Sequence, residues 1–468
     1  MKITYTLKIY RICLSILKNE SEVWINYSAG VNTKFNLARS KTPWKLTGCM
    51  PRLLIFFRWL ILHSSFKSLY LNKKQLCIFS GSINQYSSLK STIKSMLDKN
   101  IPHINFIDRN IPFDSIASSS TYHIKFQPMI LIVGLIIFVR RFAHLLSILN
   151  KKDSNLIRRR LNSFLEIYFW LPFFVHCLIK LDSKYILTSN DHNQSNRCLI
   201  LAAKYLRVKT IYIQHAAVST RFHRLQFDYS FLDGQHAFDI YKKCEKNSSK
   251  NFLPPSHRHV FLSGIKKKLY VKYQLDTNKI GISLKEADHF DQIIDVIKYL
   301  NDKNYTIYLR WHPASSFVFI RKLAALVSQF SNNVYISDPK IEGVNSFFKK
   351  VSTVISSNST ILLESRLSAL RSIYYEFGPV SVFDYYGFVE KGIAVYASSL
   401  KELTYFIELP LLNNDHTIQN LKYYTHTYNT PWVSREGDLM VHCLDAINSN
   451  IDISGLFGFR SFDPVTPS

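Results

Sequence analysis

Two short polar runs hold most of the chemistry this chain offers: Arg310-Trp311-His312-Pro313 and Ser356-Ser357-Asn358-Ser359-Thr360, the second leading on to Glu364. The first follows Tyr305-Thr306-Ile307-Tyr308-Leu309 and the second follows Thr353-Val354-Ile355, runs whose β-branched and aromatic content predicts strands. Helical patterns over 317–330 and 360–370 follow, so each run spans a strand-to-helix turn. At the carboxyl edge of an open α/β sheet such turns face phosphate-bearing ligands. The Arg310 guanidinium and the His312 imidazole suit anionic oxygens, and Pro313 fixes the turn. The hydroxyls and amide of 356–360 add neutral donors ahead of a helix N-terminus. The plainer readings are a histidine that caps its turn and an ordinary helix N-cap. Finding both runs in one sheet weighs toward a shared ligand.

Glu364 is placed either to accept hydrogen bonds from ribose hydroxyls or to face the helix dipole. Glu376-Phe377-Gly378 and Asp384 lie farther along the same rim. In the first half, Ser189-Asn190-Asp191-His192 follows a strand at 184–188, and Gln214-His215 follows a strand at 210–213. Asp191 or His215 is the candidate base for an attacking hydroxyl, with His192 and Gln214 beside them on the acceptor side. Asp191 as a helix cap and His215 as a loop-ordering group are the alternatives.

Parallel strands are needed to hold these residues in place. A regular alternation begins at Gln75, with a strand at 76–79, Gly81 in the turn, a helix over 87–97 and a strand at 103–107. It resumes at 184–188, then a helix near 196–206, strands at 209–213 and 228–232, and a helix at 237–244. Residues 247–259, with Pro254-Pro255, read as the approach to a hinge. A second alternation starts at 279–283, with helices over 290–300 and 344–350 and strands at 334–336 and 372–376. The fold class expected is α/β, two Rossmann-like domains facing each other across a cleft. Residues 1–72 are expected as a helical or irregular extension, 73–265 as the acceptor domain with apolar helices at 128–180, and 266–468 as the ligand-binding domain.

The charge of the 468-residue chain is uneven. Residues 1–270 hold 41 Lys and Arg against 13 Asp and Glu, while residues 271–468 hold 18 against 20. A basic, aromatic-rich first half reads as a surface for something anionic. Seven scattered cysteines without a C-x-x-C pair indicate neither a disulfide framework nor a metal site, and point to the reducing cytosol. Lys8, Arg11 and Lys18 interrupt any leader-like apolar core, so export is not expected. Of the apolar stretches 53–63, 129–139 and 164–179, the second reads as too short to cross a bilayer, and Glu166, Pro172 and His176 break the third. Beside Arg158-Arg159-Arg160 and Lys266-Lys267-Lys268, they are read as buried helices or as helices lying on an anionic membrane surface, giving peripheral attachment to the inner face of the cytoplasmic membrane.

Over residues 184–390 the chain resembles the bacterial glycosyltransferases of the GT-B fold that build capsule and lipopolysaccharide. The likeness lies in Ile213-Gln214-His215, similar to a Gln-His-Gly turn, in Arg310–Pro313, similar to a His-Pro motif, and in Ser356–Glu364, similar to a serine-rich phosphate loop. Ala216 stands where the resemblance calls for glycine. Transferases using CMP-activated acidic sugars or CDP-glycerol look closest. The resemblance implies a nucleotide-sugar donor as substrate with no cofactor and no metal, a glycan or lipid-linked acceptor, donor contacts from His312 and the serine loop, and catalysis by Asp191 or His215. A nucleotide-sugar epimerase of the same architecture is the alternative. A basic nucleic-acid-binding protein is the rival from another class, but no nucleic-acid-binding motif is present, so nucleic acid is not expected as a partner.

Overall fold

The computed structural model describes residues 2–20, 22–25, 48–66, 71–112, 120–152, 154–220, 222–245, 255, 257–266, 269, 278–313, 315–330, 333–378, 382–411 and 415–462. Much of the hinge at 247–259, parts of the helical pattern at 44–70, Lys267, Lys268 and the side chains of Arg158 and Arg159 lie outside these. In chain order the first elements are α1 (Lys2–Asn19), α2 (Glu22–Ile25), α3 (Cys49–His63), β1 (Leu76–Ser80), α4 (Ile83–Asp98), β2 (His103–Ile107), β3 (Thr121–His123), α5 (Pro128–Lys152), α6 (Ser154–Leu181) and β4 (Tyr185–Thr188). Next come α7 (Gln194–Tyr205), β5 (Lys209–Ile213), β6 (Tyr229–Leu232), α8 (Gln235–Cys244) and β7 (His259–Leu262). The second series is β8 (Lys279–Leu284), α9 (Phe290–Asp302), β9 (Thr306–Trp311), α10 (Phe317–Val327), β10 (Val334–Ser337), α11 (Val344–Lys350) and β11 (Thr353–Ser356). It continues through α12 (Ile361–Leu367), β12 (Arg371–Tyr375), β13 (Val395–Ala397), α13 (Leu400–Glu408) and α14 (Asp415–Tyr424), and the last elements are α15 (Glu436–Asn448) and β14 (Phe459–Ser461).

The chain forms two compact units, residues 1–266 with 435–468, and residues 267–434. The tail therefore belongs to the first unit, where the sequence reading had kept it with the second. Burial explains the difference. Leu439, Met440, Val441 and Cys443 of α15 are buried, Ser95 of α4 donates to Asp438 at 2.7 Å, and β14 pairs antiparallel with β7. Of the helical or irregular extension expected over 1–72, the described part is largely helical and packs into the first unit, with Ile9, Cys13, Ile16, Phe56 and Leu60 in its core.

The first sheet runs β3-β2-β1-β4-β5-β6-β7-β14 and the second runs β10-β9-β8-β11-β12-β13. All pairs are parallel except β14 with β7. In each sheet the chain starts in the middle, walks out to one edge, then crosses back, so the order reverses between β1 and β4 and between β8 and β11. Loops diverge at those points and leave a crevice beyond the carboxyl ends of the strands. Every residue of β1, β2 and β11 is buried, because parallel strands are covered on both faces.

The core of the first unit is organised around α6. Pro172 inside this helix cannot donate to the carbonyl of Tyr168, one turn back. α5 passes close to that carbonyl: a Cβ on Gly134 would fall 2.9 Å from the Tyr168 oxygen and 2.6 Å from the Phe169 ring. Glycine thus permits a close backbone approach beside a carbonyl that lacks its usual helical donor. Glu166, Pro172 and His176 interrupt the apolar stretch, yet α6 runs through all of them as one helix, as the apolar helices expected at 128–180 require. Both α5 and α6 are long and apolar enough to cross a membrane, but 83% of the apolar window of α6 is buried inside the unit, against 28% for α5.

Candidate functional site

In the second unit, β8 lies between β9 and β11. His312 and the serine run are therefore not direct neighbours but flank the loop after β8. That loop supplies what sequence reading missed. The Lys285 ammonium donates to the Asn358 carbonyl at 2.6 Å, and the Lys285 amide donates to Asp288 at 2.6 Å. Asp288 also accepts from the Ser357 hydroxyl at 3.2 Å, and burial raises its carboxyl above the ordinary range against the pull of Lys285 and Ser357. On the other side the His312 amide donates to the Leu284 carbonyl at 3.0 Å, which holds the exposed His312 and Pro313 beside the same loop. One ammonium, one imidazole and the half-buried Ser359 and Thr360 thus share one edge. A single lysine after a strand is common, so nothing in its spacing had marked Lys285.

Other members of the predicted set are engaged within the protein. Arg310 is buried, donates to the Ser337 hydroxyl and the Glu342 carbonyl at 2.9 Å each, and lies 5.4 Å from the centre of the Phe347 ring. Burial lowers its guanidinium below the usual value, while Glu342, Glu364 and Asp338 act in the opposite direction. Glu364 is buried on the first turns of α12. The Ser356 hydroxyl donates to the Ser283 carbonyl at 2.8 Å. The Asn358 side chain bridges to the Val382 carbonyl and the Tyr385 amide, fastening the 382–385 loop to the rim. Asp384, at a φ of 44°, accepts from the amides of Val389 and Glu390 and so closes its own turn. The N-terminus of α10, just past Pro313, is met by the chain's own carboxylate, since Glu286 accepts from the Ser316 amide and hydroxyl.

Beside this edge, Gln292, Tyr375, Glu376, Gly378, Tyr396, Ala397 and Ser398 line a cavity of about 300 Å³. Gly378 has a φ of 131°, and a Cβ there would fall 2.7 Å from the His289 ring. Only glycine meets both demands.

In the first unit, Asp191 is buried and 2.9 Å from His192, whose ring sits edge-on to Phe222 at 4.4 Å. Burial would raise the Asp191 carboxyl, but His192, His223 and Arg197 outweigh it and hold the group at about 2. A carboxylate so acidic orients its neighbour and is a weak proton acceptor near neutrality. His223, pushed down to about 3 by burial and by Arg197, stays neutral. Gln214 is a staple: its amide donates to the Ala216 carbonyl at 3.0 Å, and its carbonyl accepts from the Asp233 amide at 2.9 Å. His215 is half-buried at the end of β5. Ala216 is not among the positive-φ residues, so this turn works without glycine.

Glu166 is the group in this unit best suited to proton transfer. It projects from α6, accepts from Gln194 at 2.8 Å and from Asn162 at 3.3 Å, and lies near Asp108. Gln194 begins the helix after β4, and Asp108 follows β2, so the carboxyl sits at the carboxyl edge of the sheet. Burial raises it from 4.5 to about 7, with the hydrogen bonds from Gln194 and Asn162 pulling the other way. Its sequence signal was a lone carboxylate in an apolar helix, which had been read only as an interruption.

No family model matches the sequence, and no curated protein matches it. Solved structures do. The structure of S. aureus MnaA with UDP is 11% identical, with 81% of this chain and 98% of that one covered and a TM-score of 0.50. A UDP-N-acetylglucosamine 2-epimerase is also 11% identical, covering 85% and 100%, with a TM-score of 0.50. The chain has the GT-B fold. At such identities the likeness is one of fold alone. Acinetobacter baumannii MurG aligns as well, at 12% identity over 81% and 99%, with a TM-score of 0.44.

Proposed function

We propose that the protein is a glycosyltransferase that moves a sugar from a nucleotide-activated donor, CMP- or CDP-linked, to a glycan or lipid-linked acceptor in the cytoplasmic assembly of a surface polysaccharide. One observation supports this reading: Lys285 and the Ser357–Thr360 segment lie together at the switch point of the second sheet, with His312 at the end of the strand next to Lys285's own. Lys285 and His312 would stabilise the departing phosphate, with hydroxyls and the first amides of α12 adding neutral donors. A cavity of about 300 Å³ at the carboxyl ends of β12 and β13 of the same sheet would take the base and sugar, and the UDP in the MnaA structure supports a nucleotide as ligand for this fold. In the first unit, we assign proton abstraction from the acceptor hydroxyl to Glu166, with His215 as the candidate on the neighbouring loop and Asp191 orienting His192.

Epimerisation is the second reading, because one of the neighbours at a TM-score of 0.50 is a UDP-N-acetylglucosamine 2-epimerase. Incubating the protein with a panel of nucleotide sugars, with and without glycolipid extract, separates the two. The transferase reading predicts free nucleotide only when extract is present, and loss of at least about a hundredfold of that release in His312→Ala with an unchanged melting temperature. Isomerised donor without extract, or wild-type turnover by His312→Ala, contradicts it.

A further inference from the structure

The outward faces of α3 and α5 form an apolar surface in the first unit that no other described element covers. On α3 the exposed side chains Met50, Leu54, Phe57 and Ile61 recur at helical spacing, and Phe66 beyond its end is 93% exposed. On α5 they are Ile132, Leu135, Ile136 and Val139, the last 76% exposed. Both helices pack on α6 and touch each other through Phe56 and Phe138, whose rings stack with centroids 6.2 Å apart, while the Phe169 ring of α6 lies tilted against Phe56 at 5.7 Å. The exposure therefore belongs to one continuous face. Scattered single apolar residues need no explanation, but two adjacent helical stripes do.

Charge identifies what covers it. Neither helix contains an aspartate or glutamate. Around the apolar residues stand exposed cations: Arg58 on α3, Arg109 beside the end of α3, Lys125 just before α5, and Arg140 and Lys151 on α5. A partner protein of ordinary composition would bring acidic groups only at chosen points, whereas a lipid headgroup layer presents phosphate all round an apolar interior. A crossing helix does not fit, because Ile130, Val133, Ile137, Leu145 and Leu149 along the inner side of α5 are fully buried in the unit.

We propose that the α3–α5 face is a docking surface that lies in the headgroup boundary of an anionic bilayer, with Leu54, Phe57, Ile61, Phe66, Ile136 and Val139 dipping toward the acyl chains. The cations named above meet the lipid phosphates. Of the three apolar stretches named from sequence, 53–63 and 129–139 supply this face, in α3 and α5, while 164–179, in α6, is interior. The inference stands apart from the transferase reading, since lipid binding is measured without turnover.

The test is flotation of the full chain with phosphatidylcholine vesicles and with the same vesicles containing phosphatidylglycerol. Expected is binding to the anionic vesicles, at least about tenfold weaker on neutral ones. A combined Leu54→Ser, Ile61→Ser, Ile136→Ser, Val139→Ser variant should lose about tenfold or more, and Arg58→Gln with Arg140→Gln should lose the salt-sensitive part. The serine changes fall on exposed positions and should leave the melting temperature near that of the parent. Should that variant misfold, an environment-sensitive fluorophore on Ile61→Cys reads the same contact: a blue shift on anionic vesicles supports the proposal. Undiminished flotation of a folded serine variant overturns it, as does flotation without a blue shift. So does a wild-type dimer that ignores vesicles and dissociates in the serine variant, which would make a second copy the occupant.

Discussion

Glu166 and Asp191 are both enclosed carboxyls at the carboxyl edge of one sheet, yet they sit at about 7 and about 2. Their partners make the difference: Glu166 has neutral amides, whereas Asp191 has two imidazoles and a guanidinium. For Glu166 the folded value lies above the ordinary 4.5, so the proton is held more tightly in the native state. The associated stability is fully present below about 4.5 and is lost as pH rises through about 7. Glu166→Gln should therefore leave stability unchanged at pH 4 and raise it at pH 8 by on the order of 1–3 kcal/mol in denaturant melts. The same substitution should remove a rate limb that climbs through neutral pH. Equal melts of parent and variant at pH 8 would contradict this account. His312 and the serine run were legible in the sequence because short polar runs after apolar strands stand out. Lys285 and Glu166 were not, since a lone charge declares its role only through the neighbours that folding brings.

At the scale of elements, the contact of α5 with α6 depends on the absence of a side chain at Gly134, where Pro172 leaves a carbonyl open. Gly134→Ala should push the helices apart and cost about 1–3 kcal/mol, read as a lower denaturant midpoint with an unchanged slope. An undisturbed midpoint would show that the helices have room to spare. The βα alternation was readable because buried parallel strands appear as short apolar runs bounded by turns. Strands β3, β13 and β14 were not, being three residues each and made by pairing with an existing edge. The interior proline and charges of α6 are carried within one helix because tertiary packing outweighs local propensity in a helix enclosed on nearly every side.

For the whole molecule, the charge imbalance between residues 1–270 and 271–468 is consistent with the division of labour we propose, lipid and acceptor for the basic part and nucleotide for the near-neutral one. The two-unit division was visible in the restart of the alternation after residue 278, but the return of 435–468 was not, because no local pattern states which sheet edge a tail will pair with. The central claim is that the switch point of the second sheet holds a nucleotide through its phosphate. Thermal melts with CMP, CDP, UDP, GDP and TDP, run on the parent chain and on Lys285→Ala, test it most directly. The prediction is that one nucleotide raises the parent's melting temperature and that most of this rise disappears in Lys285→Ala. No stabilisation by any of them, or an equal rise in the variant, would contradict it.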